Sequence, residues 1–395
     1  MKNSLIENSY INNKLVFFLI TAIFIFYILS KYSLIPENLR NFFENIKYLF
    51  VLALLIKLVN INKLVSKTSV YKFFSFSILV YISYSILNLI SFSAISFLNI
   101  FLISLIPVVI IFSLIMATNF NNSIIYRKLL LTLFFLFIIF ILLSFLTPEY
   151  LIYKHYGIDR LRYVFGFVKP SYLAEISLLL IFLTLFIHVN YKNSMNKKTV
   201  YFLLFVLILI LFLSNSRTAI FSLIIFYITY KFINSKYSLI KIIIGIFIAI
   251  PIFYLLFDLN FNTLNQILSG RLNWWLIAIK NNLKTFDDFI FGIGYGNAVT
   301  NQVILGLISK SEAGKSFHVD SFFVEILIHQ GIIGIFLILI LFFSLSGIRN
   351  NNLSMPILNA MFFYGFFESI IFHFATLFAF LTWIIFFTKV HEHEK

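Results

Sequence analysis

The sequence predicts an all-α, polytopic integral membrane protein with about twelve transmembrane helices. Hydrophobic residues make up 61% of the 395-residue chain and charged residues only 11%, whereas soluble domains carry about a quarter charged residues. Apolar runs recur along the whole chain, and each is long enough to cross a hydrocarbon core of about 30 Å. Because these runs do not alternate between apolar and polar residues, they favour helices over the strands of a membrane barrel.

The predicted spans follow one another without a linker that would separate a soluble domain. The second is the weakest, because Lys47 and Lys57 bracket a short apolar run. The spans lie near residues 14–30, 43–60, 73–92, 96–117, 129–147, 172–189, 199–213, 217–234, 240–257, 321–345, 355–372 and 374–390. One membrane domain over residues 1–395 is therefore expected.

The distribution of Lys and Arg predicts the orientation of these spans. Short loops rich in basic residues face the cytoplasm, and the loops near 57–72, 192–198 and 231–241 form such a set. The opposite short loops are poor in Lys and Arg. Both termini are therefore predicted to be cytoplasmic, and most of the net charge of +15 reports topology. A nucleic-acid partner is excluded, since it would need a basic face on a soluble module.

Two long loops are predicted on the outer side, at about 148–171 and 258–320. Loops of this length inside a compact protein are usually functional or disordered, and neither has the composition of disorder. The second contains "RLNWWLIAIKNNL", in which Leu272, Trp275, Leu276 and Ile279 recur at helical spacing. This segment is predicted to be an amphipathic helix on the outer membrane surface.

A cluster of basic residues, most of them permanently charged, is expected at this outer side. Its members are four arginines and a histidine, namely Arg160, Arg162, Arg217, Arg271 and His318. A guanidinium presents a planar fork of donors that matches phosphate oxygens. The cluster therefore predicts a site for an anionic lipid head group, such as a pyrophosphate on a polyprenol. The alternative is that each arginine is an interfacial anchor whose stem lies along the lipid.

Three stretches of the sequence resemble the bacterial O-antigen polymerase and O-antigen ligase superfamily. They are "RYVFGFVKPSYLAE", "SNSRTA", and the long segment from "GRLNWW" through "GIGYGN" to "HVDSFFVEILIHQGIIG". The positions that carry the resemblance are Arg162, Gly166, Pro170 and Ala174, then Ser214, Ser216 and Arg217, then Arg271, Trp274, Gly292, Gly294, Gly296, His318, Glu325 and Gly331. Val319 and Lys169 depart from the asparagines that are usual in the family.

The resemblance implies glycosyl transfer by a metal-independent, inverting enzyme that uses a polyprenyl-pyrophosphate donor and no cofactor. His318, Arg217 and Arg271 are the implied catalytic residues, with His318 acting as a base or as an orienter of the acceptor. The implied substrate-binding residues are Arg160, Arg162, Ser216, Glu325, Trp274 and Gly294. The implied partners are undecaprenyl-pyrophosphate-linked donor and acceptor oligosaccharides and membrane lipid, and a chain-length regulator protein is a further candidate.

Polymerase is the preferred function, at the periplasmic face of the bacterial inner membrane. Two alternatives stay open: an O-antigen ligase that transfers the glycan to lipid A core, and a transporter of polysaccharide or lipid-linked oligosaccharide. "GIGYG" at 292–296 is interpreted as a tight turn or as a backbone nest for oxygens of the substrate. Glu325 and His329 are predicted to hydrogen-bond one turn apart, and Glu368 is the other acid predicted inside a span.

Overall fold

The computed structural model describes residues 2–58, 69–90, 123–153, 162–191, 194–232, 271–294, 321–348, 350–368 and 377–389. Helices dominate these ranges. They are α1 Lys2–Lys31, α2 Glu37–Leu58, α3 Ser69–Ile90, α4 Ser123–Ser144, α5 Pro170–Asn190, α6 Lys197–Leu213, α7 Arg217–Phe232, α8 Arg271–Asn282, α9 Phe286–Phe291, α10 Phe322–Ser346, α11 Ser354–Phe367 and α12 Leu377–Phe387.

The helices overlap the predicted spans wherever both can be compared. The spans predicted near 96–117 and 240–257 lie outside the described residues, and each of the others overlaps a helix. Among the described residues, α4, α5 and α10 are long and apolar enough to cross a membrane. The helices α8 and α9 lie inside the predicted second outer loop, so the number of helices does not test the number of spans. Membrane topology stays a prediction.

A small antiparallel ladder lies in the described part of the first predicted outer loop. The turn of 3₁₀-helix Pro148–Tyr150 leads into β1, Ile152–Tyr153, which pairs with β2, Arg162–Tyr163. The loop therefore has a fixed shape where it meets α5.

Helix α5 is the centre of the bundle. Its sequence is apolar around the whole circumference, which is typical of a helix that is buried on every side, and nearly all of its side chains are buried. Its hydroxyl and amide groups turn back onto their own helix: Ser177 donates to the Leu173 carbonyl at 2.8 Å, and Thr184 to the Leu180 carbonyl at 2.7 Å. The helices α1, α4, α6, α7 and α12 surround it.

Helix α10 is broken at Gly331. This residue has φ 66° and ψ −165°, which is outside the helical region. The rings of Phe323 and Phe342, on opposite sides of the break, lie 5.1 Å and 4.9 Å from the ring of Phe362. A straight helix would hold these two positions about 28 Å apart, so the two halves of α10 fold back toward each other.

The break is stabilised by the glycine-rich segment that follows α9. The N–H groups of Ile293 and Gly294 donate to the carbonyls of Ile328 and His329 at 2.9 Å and 3.0 Å. These carbonyls belong to the last turn before the break, where a helix leaves its acceptors without internal partners. The backbones approach so closely that a Cβ on Gly331 would lie 2.2 Å from the Ile290 carbonyl oxygen.

We expect Gly331→Ala to lower the thermal unfolding midpoint of the detergent-solubilised protein. The alanine would be strained at positive φ, by about 1–3 kcal/mol, and its Cβ would displace the backbone at Ile290. Gly347→Ala is the matched control, because Gly347 has a helical φ of −73° that alanine adopts freely. Equal midpoints for the two variants, measured by the fluorescence of the tryptophans on heating, would show that the break does not need glycine.

Candidate functional site

Arg217 and the first turn of α5 lie at the same end of the bundle. The short connections from α5 to α6 and from α6 to α7 reverse the chain twice, so α5 and α7 run parallel. The rings of Phe182 and Phe226 stack 4.9 Å apart and set the register of the two helices. Arg217 precedes Phe226 by the same number of positions as Leu173 precedes Phe182. Arg217 is therefore level with the start of α5.

The end of α11 reaches the same place. The ring of Phe221 on α7 lies 6.4 Å from that of Phe363, and Asn359 Nδ2 lies 3.5 Å from Thr229 Oγ1. Later positions in α7 therefore meet earlier positions in α11, and the two helices run antiparallel. The beginning of α7, with Arg217, is at the end of the bundle where α11 stops.

Arg271 lies at the same end of the bundle as Arg217. It is the first residue of α8, and its Nη2 forms an ion pair with Glu368 Oε1 at 2.8 Å. Its Nη1 donates to the carbonyl oxygen of Phe367, the last residue of α11. The Arg271 side chain is 23% exposed and that of Glu368 is 8% exposed. The two predicted arginines of α7 and α8 thus belong to the same end of the bundle.

The position of Glu368 corrects the sequence analysis, which placed it in the middle of a span at 355–372. The helix ends at Phe367, and Glu368 has an extended backbone with φ −140° and ψ 135°. Its N–H donates to the Tyr364 carbonyl at 3.0 Å and closes the last turn. A buried carboxylate requires a partner, and Arg271 is that partner.

Glu175 was missed by the sequence analysis and lies in the second turn of α5. It is fully buried, and the Tyr27 hydroxyl of α1 donates to its Oε2 at 2.7 Å. Glu368, Lys31 and Lys169 lie near enough to act on its carboxyl electrostatically. The available signal was a single acid inside an apolar run, "SYLAEISLLL", which is a functional hypothesis in any predicted span.

Two lysines and a glutamate extend the polar network toward α2. Glu44 accepts from Lys47 and pairs with Lys31 at 3.0 Å. Lys47 is only 1% exposed, and its Nζ lies 5.3 Å from the centre of the Tyr27 ring. Lys47, one of the two lysines that weakened the second predicted span, is thus buried and paired. Ion pairs and Tyr27 thereby link α2 and α1 to Glu175 of α5.

The first outer-loop motif docks onto the end of α1. Gly166 has φ 81°, and a Cβ there would lie 2.4 Å from the Tyr32 ring. The Gly166 carbonyl accepts from Ser33, while the Tyr32 hydroxyl donates to the Phe140 carbonyl at 2.6 Å. Burial raises the pKa of Tyr32 to about 12, so this hydroxyl keeps its proton. Arg162, half-buried in β2, is held close to the start of α5.

The "SNSR" turn places Arg217 at the start of α7. Asn215 takes up φ 50°, a conformation that asparagine tolerates better than most residues. Buried Ser214 donates to the Leu211 carbonyl at 2.6 Å and accepts from the Ser216 N–H at 3.3 Å. The Ser216 carbonyl then accepts from Ile220 and begins the helix. Ser214 therefore shapes the turn, and Ser216 and Arg217 are both half-buried at its outer side.

The described part of "GIGYG" behaves as a turn. The N–H of Gly292 donates to the Asp288 carbonyl at 2.8 Å, and those of Ile293 and Gly294 donate to α10. The Gly294 carbonyl lies 3.2 Å from His329 Nδ1. These three N–H groups are engaged within the protein, which favours the turn interpretation over the nest. Gly296 lies outside the described residues.

Helix α8 forms as predicted, with a different inward face. Trp274 and Trp275 pack on a buried cluster made of Ala278, Ile293 and Ile328. Leu276, assigned to the apolar stripe, is instead 48% exposed. Trp274 thereby holds α8 on α10. Its predicted contact with substrate stays a prediction.

The other predicted site residues fall into two groups. Glu325 is half-buried in the first turn of α10, at the same end as Phe323 and the end of α11. Its hydrogen bond to His329 stays a prediction. Arg160 and His318 lie outside the described residues, so their roles also stay predictions.

A family model described as O-antigen ligase matches residues 202–339. The match is consistent with the O-antigen polymerase and ligase superfamily. It confirms the resemblance read from the motifs. No curated protein matches the chain.

The segment matched to the O-antigen ligase family holds only part of the candidate site. It runs from α6 into α10 and includes Ser216, Arg217, Arg271, Trp274, Gly294, His318 and Glu325. Arg160 and Arg162 precede it, as does the buried pair Tyr27 and Glu175, and Glu368 follows it. The end of the bundle is therefore built from the matched segment and from helices on both sides of it.

Proposed function

We propose that this protein is a surface-polysaccharide polymerase of the O-antigen polymerase and ligase superfamily. It would transfer a glycan from undecaprenyl pyrophosphate to a sugar hydroxyl of a lipid-linked repeat unit. Support comes from the family match and from one geometric observation: the starts of α7 and α8, carrying Arg217 and Arg271, lie at the same end of an apolar bundle. An amphiphilic pyrophosphate needs such an arrangement, with fixed cations beside a lipid-facing surface.

The proposed reaction is a single inverting displacement. The acceptor hydroxyl oxygen attacks the anomeric carbon of the donor, a new C–O bond forms, and the bond from that carbon to the pyrophosphate oxygen breaks. Charge develops on the departing pyrophosphate, where preorganised arginine donors stabilise the transition state more than the ground state. The proton of the acceptor hydroxyl passes to a base, for which His318 is the candidate.

The alternative functions use the same end of the molecule differently. A ligase would present the same donor to lipid A core, and the family match covers both activities at the superfamily level. The degenerate motif at His318 and Val319 and the high Phe and Ile content favour the polymerase. A transporter would place its site near the midplane between paired discontinuous helices, whereas Glu368 here is paired with Arg271 at a helix end.

Deletion of the gene in its native bacterium tests the function. For a polymerase we expect lipid A core that carries a single repeat unit, seen as one band above core on a polysaccharide gel. Restoration of the ladder by the wild-type gene on a plasmid is the control. Bare core, with polymer retained on the lipid carrier, would replace this proposal with the ligase, and an unchanged ladder would remove both.

Arg217→Lys should be nearly as damaging as Arg217→Ala. Lysine keeps the charge but loses the fork that contacts two phosphate oxygens at once, so polymer should fall by about a hundredfold or more in either variant. The matched control is Arg127→Lys, an exposed arginine near the start of α4. Full-length polymer in Arg217→Lys at normal protein level would make Arg217 an interfacial anchor.

The proposed periplasmic site predicts which positions are reachable from outside the cell membrane. Lys169→Cys, just before α5, should react with an impermeant thiol reagent in intact spheroplasts, and Lys198→Cys, at the start of α6, should not. Both lysines are exposed in the structure, and the chain has no cysteine that would react in the background. Labelling of both after lysis is the control. The reverse pattern would move the arginines to the cytoplasm and end the proposed mechanism.

A further inference from the structure

The end of α11 at Phe367 provides two neighbouring acceptors for one arginine. A helix that ends at this point leaves its last carbonyls without N–H donors inside the helix, and the extended backbone of Glu368 places its carboxylate beside them. Arg271 Nη1 donates a hydrogen bond to the Phe367 carbonyl, and Nη2 donates one to Glu368 Oε1 at 2.8 Å. Two different nitrogens of one planar group are thus bound by two consecutive residues.

This arrangement fixes the orientation of the guanidinium as well as its position. A planar group held through two nitrogens can neither rotate about its own axis nor tilt freely, whereas one contact would leave rotation open. The rings of Trp275 and Phe367 lie 6.0 Å apart and dock α8 against the end of α11. The side chain of Arg271 is nevertheless 23% exposed, so it can be reached from outside the bundle.

A carboxylate beside a phosphate-binding arginine carries an electrostatic cost. It lowers the net positive charge available to an anionic ligand, so attraction of pyrophosphate does not explain its presence. Orientation does explain it, because charge stabilisation in a transition state depends on where the donors point. We propose that Glu368 is a positioning residue that aims the Arg271 guanidinium at the departing pyrophosphate. The inference rests on the proposed function of Arg271.

The test uses the purified full-length protein in detergent with a lipid-pyrophosphate-linked repeat unit. Glu368→Gln should lower kcat by up to about a hundredfold, the size of effect that a misplaced catalytic group produces. The KM for the lipid-linked donor should not rise, because the positive charge of Arg271 remains. Glu368→Asp, which keeps the carboxylate, should recover part of kcat.

Double variants separate positioning from other roles. In the Arg271→Lys background, adding Glu368→Gln should change kcat by less than about twofold, since the fork to be positioned is already gone. In the Arg217→Lys background the same change should have its full effect. Full effects in both backgrounds would overturn the inference and make Glu368 act independently of Arg271. A lower KM with unchanged or higher kcat would show that Glu368 only shields the site.

Chemical modification tests the pairing without relying on the reaction. Phenylglyoxal should modify Arg271 several-fold faster in Glu368→Gln than in the wild type, while modification of Arg217 serves as the internal reference, read by peptide mass spectrometry. Equal rates at Arg271 would overturn the inference whatever the substrate. A wild-type protein that forms no polymer, but shows the faster modification in the variant, would count against the proposed function and not against the pairing.

Discussion

A charge buried in an apolar interior is costly unless a partner is held against it, and this constraint organises the polar part of the protein. The chain is only 11% charged, and its buried acids in the described ranges are each tied to a donor. Glu175 has the Tyr27 hydroxyl and Glu368 has Arg271, while the half-buried Glu44 has Lys31 and Lys47. All these contacts lie at the same end of the bundle as Arg217. The packing that satisfies the acids is therefore the packing that brings the arginines together.

Carbonyl groups at the break in α10 and at the end of α11 provide further acceptors. Before the break at Gly331, two helix carbonyls accept hydrogen bonds from the N–H groups of Ile293 and Gly294. At the end of α11, the Phe367 carbonyl accepts one from Arg271. Discontinuous helices in transporters use such ends to hold ions or substrates. Here both sets of carbonyls are engaged by the protein's own donors. These contacts thus anchor the segment that contains α8 and α9 to the bundle.

The site is assembled from parts of the chain that differ in how well they can be recognised. The matched segment, 202–339, carries the "SNSR" turn and the start of α8. The buried pair of Tyr27 and Glu175, together with Glu368, comes from outside it and reaches the same end through α1, α5 and α11.

The sequence alone determined the helical class and most helix positions, because apolar runs and turn residues are local signals, and it predicted that Arg217 and Arg271 share one end of the bundle. It left two interpretations open for Gly292 and Gly294, a tight turn or a backbone nest. Tertiary structure decided that question, the end of α11 at Phe367, and the pairing of Arg271 with Glu368. These features depend on contacts between residues far apart in the chain. The segment that follows α9 donates hydrogen bonds to α10 just before the Gly331 break, and a tyrosine on α1 donates one to Glu175. Periodicity cannot report such contacts, because each partner looks ordinary within its own helix.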